Sequence, residues 1–279
     1  MMTPEHDMPD ARPAPDRLAR QQEAADAIYQ QAIELEAAGL TEAAQIGFEA
    51  AVALDLLNPE LQYRWGGPFN GQAERRATFL EMLETLQPAA LIETGTYRGT
   101  TTEFMARHFA GPIHSCEIDR RCFQGSRRKL ARFSQVELTP SDSRPFLRYV
   151  LSRLKPAAPL LVYLDAHWWD DLPLREEIEI ILASGHDAAI LIDDFEVPDD
   201  SGYTFDDFGP GKRFCLDMLD FMADRPEPLF YPRARSEAET GSKRGAVVLS
   251  TGPRVTSALG AVGRLRGDGF AAWRLATDK

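Results

Sequence analysis

The sequence predicts an α/β protein: a doubly wound sheet of parallel strands closed by a C-terminal antiparallel hairpin, with a helical hairpin ahead of it. From Ala89 onward, short apolar runs near 89–94, 112–117, 135–138, 159–165 and 188–193 alternate with amphipathic stretches. Alternation of this kind builds βαβ units and a parallel sheet. The intervening helices start at Thr100, Arg120, Ser143 and Leu172, with a fifth near Lys212. Two late apolar runs, 229–231 and 246–250, lie close enough in sequence to pair as a hairpin.

Residues 1–16 carry Pro4, Pro9, Pro13 and Pro15 among charges and bury too little apolar surface to order, so a tail is expected there. Between Leu18 and Leu57, Ala25, Ile28, Ala32 and Leu35, then Ala44, Phe48, Ala51 and Val52, recur at helical spacing. Gly39 and Thr41 supply the stop and the start. The domain boundaries are therefore a tail 1–16, a helical hairpin 17–60, a connecting loop and helix 61–88, and the main domain 89–279. The hairpin resembles a single tetratricopeptide unit without a second copy, and its alanine-rich face suggests a homodimer contact.

Composition narrows the partners. A net charge of -12 argues against a nucleic-acid partner, which needs a basic face to displace counterions. The first twenty residues do not read as a secretory signal and no run of eighteen apolar residues occurs, so a cytoplasmic protein without a membrane partner is expected. Cys116, Cys122 and Cys215 have neither metal spacing nor an even count, and are expected to be reduced.

The chemistry concentrates in three places. Glu93-Thr94-Gly95-Thr96-Tyr97-Arg98-Gly99-Thr100 forms a glycine turn after the first strand, and Glu117 ends the second. Gly95 and Gly99 permit backbone conformations closed to other residues, while a carboxylate at Glu117 can accept both hydroxyls of a ribose. The full Gly-x-Gly-x-x-Gly dinucleotide pattern is missing, which disfavours NAD. Strands four and five end in Asp165 and in Asp193-Asp194. Converging carboxylates repel unless a cation or proton compensates, and an all-oxygen set suits Mg²⁺ or another divalent cation, making Asp165, Asp193 and Asp194 the expected ligands. Next to them, His167 is the candidate base because its ordinary pKa lies near neutrality.

The glycine turn resembles the first motif of class I S-adenosylmethionine-dependent O-methyltransferases of the catechol and macrolide-sugar types, over roughly residues 90–250. That resemblance implies a Rossmann-like domain with S-adenosylmethionine on Glu93, Gly95, Thr96, Tyr97, Gly99, Thr100, Glu117, Ser141, Asp142 and Asp165. It also implies a metal-assisted transfer to a hydroxylated small molecule, with Asp165 catalytic beside His167. The separations of 28 and 29 positions from Asp165 to Asp193 and Asp194 are similar to those of the family's metal ligands. The sequence departs from the catechol pattern in lacking the lysine after the first metal aspartate, and it carries Asp194 where an asparagine is usual. The 68–72, 163–168 and 192–198 runs resemble a bacterial group of methyltransferase-like proteins, and similar aspartate sets occur in cephalosporin-hydroxylase-like relatives. Metal-independent N- or protein methylation, a hydroxylase-like chemistry and a non-catalytic adapter are the alternatives. Past strand five, the 196–212 loop reads as a lid; Trp168, Trp169, Tyr203, Phe205 and Phe208 are its expected aromatic wall. Upstream, the glycine-rich 65–72 loop with Arg75 is expected to be a linker or a second cover.

Overall fold

The computed structural model describes residues 15–155, 158–167, 171–222 and 228–268. The chain divides into two compact units, 1–62 and 63–279. In the first, α1 (Pro15–Ala37) and α2 (Thr41–Leu56) pack together and are followed by a single turn, α3 (Pro59–Gln62). Small residues let the two helices approach: a Cβ on Gly47 would lie 2.8 Å from the Cβ of Ala32. Ala32, Ala44 and Phe48 form their core, with Tyr29 edge-on to Phe48.

The second unit is one eight-stranded sheet in the order β3-β2-β1-β4-β5-β7-β6-β8. Its strands are β1 (Ala90–Thr94), β2 (Ile113–Glu117), β3 (Val136–Pro140), β4 (Leu160–Leu164), β5 (Ala188–Asp193), β6 (Leu229–Pro232), β7 (Ala246–Thr251) and β8 (Leu265–Asp268). The first five pair in parallel, and β7, β6 and β8 add antiparallel. Central strands β1, β4 and β5 are buried throughout, which is why they read as unbroken apolar runs. One face carries Ile92, Val162 and Ile190 with Phe146, Leu147 and Val150 of α7 (Ser143–Arg153) and Ile178 and Ile181 of α8 (Leu174–Ala183). On the other, Leu91, Leu161 and Leu191 meet Phe79 and Met82 of α4 (Ala73–Leu86), Met105 of α5 (Thr100–His108) and Leu259 of α9 (Pro253–Ala261). The helix between β2 and β3 is α6 (Arg120–Leu130), capped by Asp119, which accepts from the Cys122 amide at 2.8 Å.

Three expectations change. The 61–88 segment is part of the sheet-containing unit from Tyr63 onward, because Phe69 and Phe79 are core residues with ring centroids 4.9 Å apart. In place of a fifth helix from Lys212 stands a 3-10 segment, Leu216–Met222. The sheet also gains β8 and α9, whose short sequences carry too little periodicity to be read. The three cysteines are free thiols, and among the described residues no helix is long and apolar enough to cross a membrane.

Candidate functional site

The order of the strands reverses direction between β1 and β4, and a crevice opens at such a switch point beyond the carboxyl ends of the strands. A cleft of about 170 Å³ lies there, lined by Gly95, Cys116, Glu117, Ile118, Ser141, Asp142, Ser143, Ala166, Asp171 and Pro173. Gly95, at φ 81°, is required by the protein itself: a Cβ there would lie 2.4 Å from the carbonyl oxygen of Asp165, where β1 and β4 come closest. Tyr97 takes the left-handed region at φ 48°, which aims its amide at Glu117 Oε2, 2.6 Å away. Glu117 Oε1 accepts from the Asp119 amide at 2.8 Å. The carboxylate is thus fixed at the rim by backbone donors, the Ile118 amide among them, and stays a hydrogen-bond acceptor.

Other predicted donor residues fall on either side of the cleft wall. Ser141 and Asp142 line it. Asp142 also caps α7, accepting from the Arg144 amide at 2.9 Å, and its carboxylate is gripped by the Arg144 guanidinium at 2.9 and 2.6 Å. The same guanidinium reaches both oxygens of Asp171, at 3.1 and 2.6 Å, tying the two walls together. Three residues expected to touch the ligand turn inward instead. Glu93 is fully buried, accepts from Thr102 and Ser115 at 2.5 Å each, and burial lifts its pKa to about 7. Thr96 meets Ser115 at 2.5 Å and donates to the Cys116 carbonyl, while Thr100 accepts from Lys129 at 3.0 Å. They stiffen the glycine turn.

A second cluster of carboxylates is built from the tips of β4 and β5. Asp193 and Asp194 are consecutive, and a strand would send them to opposite faces; Asp194 escapes by adopting φ 55°. Asp193 has no exposed surface, and its oxygens are taken by Arg75, by Tyr163 Oη at 2.6 Å, by Asn70 Nδ2 at 3.1 Å and by the Asp194 amide at 2.8 Å. Asp194 accepts from Arg244 Nε at 2.5 Å, and Arg244 also grips Asp206 of the lid loop. His167 Nε2 lies 3.1 Å from Asp206 and 3.4 Å from Asp194.

Two sequence expectations are corrected here. Burial alone would lower the His167 pKa, but Asp194 and Asp206 outweigh it and hold the value near 10, so the imidazole carries its proton at neutral pH and is no base. Asp193 is not available as a metal ligand, being committed to Arg75 in a pair with side-chain exposures of 5% and 0%. Among the described residues, the ligand atoms that do approach one another, within 4.8 Å, are those of Asp165, His167 and Asp194, a mixed nitrogen and oxygen set. With Asp194 already on a guanidinium, these residues do not fit the all-oxygen Mg²⁺ site expected from the sequence. Among the described residues Asp165 is the carboxylate of the three that meets no arginine; Tyr163 Oη donates to it at 3.2 Å. Burial and the charges of Asp193 and Asp194 push its pKa well above the ordinary range, partly opposed by His167.

Sequence reasoning named Arg75 only as a loop neighbour and missed Arg244, Arg144 and the role of Asp206. Local spacing marks only the Arg144 pairing with Asp142; the other partners lie 118, 50, 27 and 38 positions away. Tyr203 is buried in the core, and Trp168 and Trp169 lie outside the described residues.

No protein-family model and no curated protein matches the chain. Solved structures similar to it include the O-methyltransferase TomG from Streptomyces achromogenes, involved in tomaymycin synthesis, in complex with SAM. It is 20% identical, with 64% of this chain and 80% of that chain covered at a TM-score of 0.44. A putative O-methyltransferase from Klebsiella pneumoniae is 18% identical, covering 68% and 86%, TM-score 0.46. The N-methyltransferase NodS from Bradyrhizobium japonicum WM9, in complex with S-adenosyl-l-homocysteine, is 11% identical, covering 74% and 98%, TM-score 0.45. Identity and superposition are both low in these pairs.

Proposed function

We propose that the chain is an S-adenosylmethionine-dependent methyltransferase acting on a hydroxyl group of a small molecule. The observation that supports this most is the placement, along one set of strand ends, of a ribose-type carboxylate at Glu117 and an arginine-free carboxylate at Asp165. In this reading Glu117 takes the ribose hydroxyls, Asp142 and Ser141 face the base, and the Gly95 turn underlies the methionine half. S-adenosylmethionine, when bound, supplies a methyl group already activated on a sulfonium.

Asp165 is assigned the base, replacing His167. A carboxylate whose pKa is raised by burial is a stronger proton acceptor for a hydroxyl than an ordinary one. It takes the hydroxyl proton as the oxygen forms its bond to the methyl carbon and the carbon–sulfur bond breaks. His167, as an imidazolium between Asp194 and Asp206, positions the lid and keeps Asp165 from losing all its ionised form. The Mg²⁺ of the sequence expectation is not part of this reading, for the reason given above.

The test is calorimetry with S-adenosylhomocysteine, followed by transfer of labelled methyl from S-adenosylmethionine to a panel of hydroxylated acceptors. Binding by the wild type and weakening on Glu117→Ala are expected. Absence of heat with the folded wild type would overturn the proposal.

A further inference from the structure

We propose that the aspartate cluster at the tips of β4 and β5 balances its charge with two guanidinium groups, Arg75 and Arg244, in the place where a divalent cation would sit, and that it holds no resident metal. The inference takes its meaning from the methyl-transfer reading of the cleft, but its evidence is separate. Each consecutive aspartate at the tip of β5 has its own arginine: Asp193 meets Arg75, and Asp194 meets Arg244, which reaches on to Asp206. Arg75 and Asp193 are almost wholly buried, so neither can leave without exposing the other as an uncompensated charge.

Arg244 is anchored differently: its side chain is held between Asp194 and Asp206, and its main chain is pinned on both sides. Its amide donates to Gln72 Oε1 at 2.7 Å, and its carbonyl accepts from Gln72 Nε2 at 3.0 Å and from Arg75. The next residue, Gly245, donates to Thr204 of the lid at 2.7 Å and accepts from Phe195 at 3.1 Å; a Cβ there would lie 2.1 Å from the Phe195 carbonyl oxygen. The lid closes the frame, with the Asp206 amide donating to the Asp194 carbonyl at 2.9 Å. An ion held by Asp165, His167 and Asp194 would therefore compete with the Arg244 guanidinium for a shared ligand. Like charges at that range repel strongly in a site shielded from water.

The experiment is a titration of Mn²⁺, followed by the resonance of the free ion, into the full chain with and without S-adenosylhomocysteine. Wild type is expected to bind no Mn²⁺ up to about 1 mM. Arg244→Gln, checked for folding by circular dichroism, is expected to gain at least about tenfold in Mn²⁺ affinity, because Asp194 and Asp206 lose their counter-charge. Tight one-to-one binding by the wild type that Asp194→Asn abolishes would overturn the proposal, as would unchanged Mn²⁺ affinity in a folded Arg244→Gln. Should Arg244→Gln not fold, the wild-type and Asp194→Asn titrations decide. A missing response to S-adenosylhomocysteine speaks against the methyl-transfer reading alone and leaves the arginine assignment to the Mn²⁺ result.

Discussion

Glu117 and the two aspartates at the tip of β5 are held by different means. Glu117 is fixed by the amides of Tyr97, Ile118 and Asp119, at most twenty positions away. Asp193 and Asp194 are fixed by arginines 118 and 50 positions away. Backbone amides cannot be mutated away and impose no net charge, so Glu117 keeps its own. Guanidinium groups neutralise what they hold, so of the three aspartates Asp165 is the one that, among the described residues, no arginine meets, which is why the proposed reaction falls to it.

That contrast makes its largest prediction for Asp165. Asp165→Asn is expected to lower kcat about 10²–10⁴-fold, with little change in S-adenosylhomocysteine binding. In the wild type, kcat should rise with pH through a pKa above the ordinary carboxylate range, since burial beside Asp193 and Asp194 favours the protonated form. A pH-independent kcat between about pH 5 and about pH 8, with chemistry rate-limiting, would remove Asp165 from the role. Arg75→Ala comes next, at about 3–5 kcal/mol of stability by urea unfolding, because it strands the buried Asp193. The double variant Arg75→Ala with Asp193→Ala should recover part of that loss, and no recovery would mean that the pair does not act as a unit.

A smaller effect sharpens the comparison further. Glu177 is 1% exposed beside Ser143, Thr94 and His167, and burial raises its pKa from about 4.5 to about 7. Below the unfolded value both states are protonated; between about 4.5 and about 7 only the folded state keeps the proton, so stability falls as pH rises through that window and levels off above it. Glu177→Gln should flatten the fall by about 3 kcal/mol between about pH 4.5 and about pH 8, and equal pH slopes for the two proteins would contradict the burial argument. Smallest is Arg144→Ala. Its partners Asp142 and Asp171 are partly solvated, so stability should change by less than about 1 kcal/mol. KM for S-adenosylmethionine is nevertheless expected to rise while kcat holds, because the two cleft walls lose their tie; a fall in kcat at unchanged KM would place Arg144 elsewhere.

Much of this was legible in the chain itself. Apolar runs such as 160–164 and 188–192 announce buried strands, and Gly95 and Gly99 mark turns with positive φ, because these features depend on a residue and its near neighbours. The sequence by itself therefore determined the doubly wound plan and the strand ends at which Glu117, Asp165, Asp193 and Asp194 stand. It could not decide how the charges of those aspartates are met, since crowding predicts only that something must compensate them. Tertiary structure decided for Arg75 and Arg244, brought in by α4 and by the approach to β7, and so reassigned His167 from base to imidazolium. Coulomb energy depends on distance in space and on the surrounding dielectric, and neither is encoded in the spacing of residues along a chain.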